Sequence, residues 1–233
     1  MPKLDRKAGQ NIRDLAVKRR IKALTSFTSA GLVIFLPFFL SKASERFLKQ
    51  ISSLNPSQPP QAFQLPIALY IFSIVIAMGL VMNGTYLWKR ANHADQGARG
   101  EEDIAQAIAQ LTQEGWQIEY GMRLGNKLGD ADIVCISPQN KAYVIDVKSH
   151  RGEVITDGQQ LYRRVGNSKY SFEKNFLNQA KKQALQVKKQ KELNFVTPIV
   201  AFSDAKVAIA SEKLQKVYVV EKSALVLLLR SLG

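Results

Sequence analysis

An α/β or α+β domain of modest size, carried behind a two-helix membrane hairpin, is the architecture this sequence predicts. Two uncharged stretches lie in its first part, Ala23 to Ser41 and Gln50 to Trp88. Behind them the pattern runs helix, several strands, helix, more strands and a closing helix. Within the strands, Gly129 to Gly152 reads GDADIVCISPQNKAYVIDVKSHRG, a hairpin with ionisable groups set among apolar residues.

The membrane reading rests on length. A helix rises ~1.5 Å per residue, so about 20 apolar residues cross the hydrocarbon layer. The run LPIALYIFSIVIAMGLVMNGTYLW meets that comfortably; ALTSFTSAGLVIFLPFFLS is marginal and carries Pro37 near its far end. Ser41-Lys42-Ala43 has the small residues of a signal-peptide cleavage site, but the basic stretch before it is long for one. The expected organisation is a basic segment at 1–22, membrane helices at 23–41 and 63–88, an external loop at 42–62, a linker at 89–96 and a domain at 97–233.

The location of charge matters more than its sum. The formal net charge is +14, with 33 basic and 19 acidic residues. Met1 to Arg90 holds 13 basic against 3 acidic residues, net +10, and the remainder 20 against 16, net +4. Most of the excess therefore lies beside the membrane, where it suits a bilayer with anionic head groups and is a weak argument for nucleic-acid binding. Lys3, Arg6, Lys7, Arg13, Lys18, Arg19, Arg20 and Lys22 precede the first helix, while the loop carries Lys42, Arg46 and Lys49. That asymmetry predicts a multi-pass protein with both termini in the cytoplasm. The Pro- and Ser-rich SSLNPSQPPQ reads as an irregular connection. Cys135, the single cysteine, sits in an apolar strand and reads as a small buried hydrophobe.

The domain opens with a helix beginning near Glu101, after the polar KRANHADQGARG. Ile104, Ile108 and Leu111 form its apolar stripe, which places Glu101 inward and Glu102 about 100° away, toward water. A strand in WQIEYGMRL, the loop GNKLGD and the Gly129–Gly152 hairpin follow. A second hairpin turns at Asp157-Gly158, and a polar helix spans about 172 to 193. TPIVAFS, KVAIA and KVYVV read as strands, and KSALVLLLRSL as the last helix.

Alternation along a strand puts Asp146 and Lys148 on one face and Tyr143, Ile145 and Val147 on the other. Register decides whether Asp132 joins them. A three-residue loop, Pro138-Gln139-Asn140, sets Asp132 opposite Asp146, whereas a two-residue loop sets it opposite Val147, on the wrong face. Two facing carboxylates repel, and a divalent cation between them removes the objection. Asp132 and Asp146 would hold Mg²⁺ or Mn²⁺, Lys148 would stand at the attacking water, and Glu101 would complete or brace the site. Taken alone, Asp-x-Lys on a strand is more often the polar face of a half-solvated sheet; Asp132 and the inward Glu101 are what strengthen the pattern. His150 reads as a further ligand or, more simply, as a solvated strand end. Lys174, Lys181, Lys182, Lys188, Lys189 and Lys191 cluster on the polar helix and suit either a phosphate backbone or plain solvent.

These motifs, in this order, resemble the nuclease-related domain family, NERD, from about Gly97 to Phe202. GARGEE resembles the family's opening Gly-x-x-Gly-Glu at Glu101, and GDADIVCIS its Gly-Asp-x-Asp strand at Asp132. AYVIDVKSHRG resembles the acid-x-Lys strand at Asp146 and Lys148, with Asp where Glu is commoner; NFLNQA resembles a helix entry that places the family glutamine at Gln179, with Phe176 where Pro is usual. The resemblance implies a restriction-endonuclease-like mixed sheet flanked by helices, of the PD-(D/E)xK kind. It also implies Mg²⁺- or Mn²⁺-dependent hydrolysis of DNA phosphodiester bonds by Asp132, Asp146, Lys148 and Glu101, with Gln179, Lys181 and Lys182 as support or substrate contacts. The alternative is an inactive, membrane-tethered module that binds nucleic acid or protein on the same fold.

Overall fold

The computed structural model describes residues 7–54, 64–125 and 128–233. They divide into two compact units, Leu15–His93 and Ala94–Gly233 with the segment leading up to Asp14. Helix α1 spans Gln10–Leu54 and helix α2 Ile67–Ile108, and both are long and apolar enough to cross a membrane. Helix extends further than the sequence pattern suggested. The basic stretch from Gln10 onward and the loop residues as far as Leu54 belong to α1, since no glycine or proline interrupts them after Pro37. Lys3, Arg6, the rest of the Pro- and Ser-rich loop, and Asn126 and Lys127 of the GNKLGD loop lie outside the described residues. The helix expected to open at Glu101 is instead the last part of α2, because KRANHADQGARG has no proline and packing holds its glycines in the helix. Its two glycines are packed: a side chain on Gly97 would meet Ile12, and one on Gly100 would meet Ser149 and Ser203.

In Leu15–His93 the buried positions are small. Ala16, Ala23 and Ala30 on α1, and Ala77, Gly84 and Ala91 on α2, recur every seven residues and are buried. A seven-residue step returns to one face of a helix, and small residues let two backbones approach closely. A Cβ on Gly84 would lie 2.5 Å from the Phe27 ring, and Asn83 Nδ2 donates to Ser26 Oγ at 3.0 Å. Large apolar side chains face outward instead, among them Leu32, Phe35, Phe39, Phe72 and Met82.

The second unit is mixed α/β. After α2, a 3-10 turn at Ala109–Glu114 leads into β1 (Gln117–Arg123), β2 (Asp130–Ile136) and β3 (Ala142–Lys148), an antiparallel meander. Then come β4 (Gly152–Thr156), β5 (Leu161–Val165), β6 (Ser168–Ser171) and helix α3 (Phe176–Gln190). Strands β7 (Val196–Phe202), β8 (Ala205–Val207), β9 (Lys213–Leu214) and β10 (Val217–Glu221) precede helix α4 (Lys222–Leu232). One sheet has the order β1-β2-β3-β7-β10-β9, parallel across β3, β7 and β10; the other has the order β6-β5-β4-β8. The end of α2 and α4 cover one face of the larger sheet through Ile104, Ile108, Leu225 and Leu229 against Tyr143, Ile145 and Ile199. Helix α3 covers the other through Leu177, Ala180, Ala184 and Val187. The chain therefore has the mixed sheet flanked by helices that the motifs implied.

Three details depart from expectation. Strand β6 forms from the polar SKYS, which has no apolar alternation, because the turn at Gly166 (φ +57°) folds it back on β5. The strand expected in KVAIA shortens to β8. Helix α3 starts at Phe176 because Asn175 is its N-cap, accepting from the Asn178 N–H at 3.0 Å.

Candidate functional site

The β2–β3 hairpin turns through Pro138-Gln139-Asn140. The Ser137 N–H donates to the Lys141 carbonyl at 2.9 Å, and Asn140 takes the left-handed conformation that closes such a loop (φ +62°). Ile133 pairs with Ile145 and Val134 with Val144, a register that brings Asp132 opposite Asp146. This is the three-residue loop on which the sequence argument depended. The even-numbered residues of β3 face α3, so Asp146 and Lys148 lie on the side from which α3 supplies polar groups.

Asp146 is 1% exposed. Gln179 Nε2 donates to its Oδ1 at 3.1 Å, and the Lys148 ammonium stands 2.7 Å from Oδ2. That second contact makes the Lys148 ammonium the partner of Oδ2. Asp132 keeps some exposed surface although protein encloses its carboxyl, and its Oδ2 accepts from the Val147 N–H at 2.7 Å. Glu101, 8% exposed, reaches the same cluster from α2 and accepts at Oε2 from the Gly9 N–H at 3.0 Å. Helix and strand approach closely here because position 100 has no side chain: a Cβ on Gly100 would sit 2.7 Å from Ser149 Cβ.

Burial pushes all three carboxyls above their ordinary range. For Asp132 the shift is large, and the charges of Asp146 and Glu101 add to it. Lys148 opposes the shift at each acid, as do the Gly9 N–H at Glu101 and Gln183 at Asp146. Three carboxylates and one lysine thus act electrostatically as one group, short of positive charge.

Gln183, one turn beyond Gln179 on α3, escaped the sequence reading. It is 1% exposed, its Oε1 has no hydrogen-bond partner, and it lies against Asp146. The available signal was a glutamine between the apolar positions Ala180, Ala184 and Val187 of an otherwise lysine-rich helix. Of the two lysines expected as support, Lys181 is engaged elsewhere, donating to Gln215 Oε1 at 2.9 Å, because two helical residues from Gln179 is the far side of α3. Lys182 is exposed, as are Lys174, Lys188 and Lys189, whereas Lys191 pairs with Glu119 at 2.6 Å. His150 is not a solvated strand end. It stacks on Phe172 with centroids 4.9 Å apart, and its pKa is lowered by burial and by the Lys148 and Arg163 charges. Phe176 of that cluster packs under the Lys148 ammonium, 4.7 Å from the ring centre. Cys135 is buried and its thiol is pushed up to about 12 by burial, as suits a core residue.

Among the described residues, no group of three or more His, Cys, Asp or Glu side chains is gathered to hold a metal ion. The donors at the hairpin are two carboxylates, with the unpartnered Oε1 of Gln183 beside them. Residues 96–203 match the nuclease-related domain family, NERD, a little under half of the chain. Comparison with curated proteins and with solved structures finds no match.

Proposed function

We propose, from the nuclease-related domain at residues 96–203, that the chain is a membrane-anchored nuclease that hydrolyses DNA phosphodiester bonds with a divalent cation. The observation that carries this reading is the hairpin register, which sets Asp132 opposite Asp146 beside Lys148 where burial leaves the acids short of positive charge. Mg²⁺ commonly takes one or two carboxylates and completes its shell with water and substrate oxygens, so two aspartates are a fitting donor set. Asp132 and Asp146 would hold the ion, Mg²⁺ or Mn²⁺. Its chemistry when bound is to draw charge from a phosphate oxygen and to make a water more acidic.

The protein's own groups do the rest. Hydrolysis adds a water oxygen to phosphorus, breaks the bond to the leaving oxygen and moves a proton to that oxygen. Lys148 orients the water and balances charge as it develops on the phosphate. Glu101, held from α2 and raised in pKa, suits the proton the water gives up. Gln179 and Gln183 fix the Asp146 carboxylate from α3. Exposed Lys174, Lys182, Lys188 and Lys189 offer the phosphate backbone a cationic face, to which Lys181 contributes less than expected. The two N-terminal helices would anchor the protein in a bilayer with anionic head groups, both termini cytoplasmic, since basic residues concentrate before α1 crosses.

One observation favours the second reading, an inactive tethered binding module. Lys148 already lies 2.7 Å from Asp146, neutralising that carboxylate from within. Cleavage of a labelled oligonucleotide by the purified full chain, with Mn²⁺ and with chelator, separates the two. The nuclease reading expects metal-dependent cleavage that falls by about 10²–10³ in Lys148→Ala and is lost in Asp146→Asn. Binding without cleavage in any metal supports the module.

A further inference from the structure

The geometry points to the N-terminal segment Lys7–Arg13 as a positioning part of this site: the Gly9 amide aims and holds the Glu101 carboxylate, and Asn11 and Arg13 clamp that amide in place. The inference rests on the nuclease reading for its kinetic consequence, though not for its geometry. Gly9 and Glu101 are 92 positions apart, yet the Gly9 N–H donates to Oε2 at 3.0 Å in a buried setting. A hydrogen bond from a buried amide to a carboxylate is charge-assisted, and it opposes the burial that pushes Glu101 toward its neutral form.

The segment is fitted rather than laid over the surface. Gly9 has φ +72°, and a Cβ there would lie 2.6 Å from the Ala98 carbonyl oxygen, so only glycine permits this approach. Asn11 Nδ2 donates to Asp130 Oδ2 at 2.7 Å, two residues before Asp132 on the same strand. Arg13 Nη2 binds both oxygens of Glu102, at 2.5 and 2.6 Å, and its Nε adds a contact at 3.1 Å. The three anchors fall on Glu101 itself, on its neighbour and on the strand that carries Asp132. An exposed ion pair such as Arg13–Glu102 contributes little by itself and would not explain a glycine-specific seat at the buried acid. A fragment beginning after the membrane helices would lack all three anchors, and with them the partner of Glu101.

Hydrogen exchange on the full chain in detergent micelles tests the contact without any assay of cleavage. In the peptide covering 7–13, the Gly9 amide exchanges slowly in the wild type. Glu101→Ala speeds it about tenfold, with the β2 and β3 amides unchanged. Fast exchange in the wild type, or no response to Glu101→Ala, overturns the inference whether or not the protein cleaves DNA. The kinetic arm uses the double variant Asn11→Ala, Arg13→Ala, which leaves Glu101, Asp132, Asp146 and Lys148 in place. Its kcat for oligonucleotide cleavage falls about tenfold at unchanged KM, because Glu101 is no longer held in place. An unchanged kcat, or a loss that falls on KM instead, overturns the positioning role. A wild type that never cleaves defeats the nuclease reading and leaves exchange to decide this one.

Discussion

The helical hairpin and the domain bury opposite kinds of residue. In Leu15–His93 the inside is Ala, Gly and Ser, with the Asn83–Ser26 hydrogen bond, while Phe35, Phe39 and Phe72 face outward. In the domain, Ile, Leu and Val fill the inside, and the charged groups face water except around Asp146. In lipid an outward phenylalanine needs no explanation, and two helices associate by close packing and a few polar contacts. In a domain core surrounded by water the same logic reversed makes a buried carboxylate costly, so three of them around one lysine are the exception there. Burial carries meaning only against the solvent outside.

Glycines offer the largest test of that contrast. Gly100 and Gly79 both lie within α2, but the first touches Ser149 and Ser203 whereas nothing lies within 4 Å of a Cβ at the second. Gly100→Leu should destabilise the domain by about 2 kcal/mol, as overpacking typically does, and displace Glu101 from the site. Chemical denaturation of the full chain followed by the Trp116 signal would measure it.

A smaller effect concerns pH. Because Glu101, Asp132 and Asp146 have raised pKa values, the folded cluster holds protons that the unfolded chain has released. The stability they contribute is therefore present below the ordinary Asp value of 3.8 and is lost as pH rises through their folded values. Metal-free protein should therefore lose stability, and melt at lower temperature, as pH rises from the ordinary carboxylate range toward neutrality. Asp132→Asn should flatten that slope, and Mn²⁺ should remove it. Smallest is Gly79→Ala, expected to raise hairpin stability by about 0.5 kcal/mol through helix propensity alone, which a thermal shift in micelles would register. A loss of stability there would mean that the outward face is packed after all.

Much of this architecture was legible in the chain. Uncharged runs marked both long helices and alternation marked β2 and β3, while the sequence left two loop lengths open at 138–140 and so did not decide whether Asp132 and Asp146 meet. What stayed hidden depends on contacts distant in sequence. Gly9 reads as nothing until Ala98 and Glu101 are beside it, and Gln183 looks like one more polar residue on a polar helix. Helix α2 continues through Gly97 and Gly100 because tertiary packing overrides their poor propensity. Lys181 and Lys182 are neighbours in sequence, yet only their helical phase separates a paired lysine from an exposed one.

The most direct test is a calorimetric Mn²⁺ titration of the full chain in micelles, its N-terminal segment in place, beside Asp132→Asn. One saturable site in the wild type, lost in the variant, is the result this account predicts. Absence of binding in both, with DNA present, would contradict it and leave a tethered binding module.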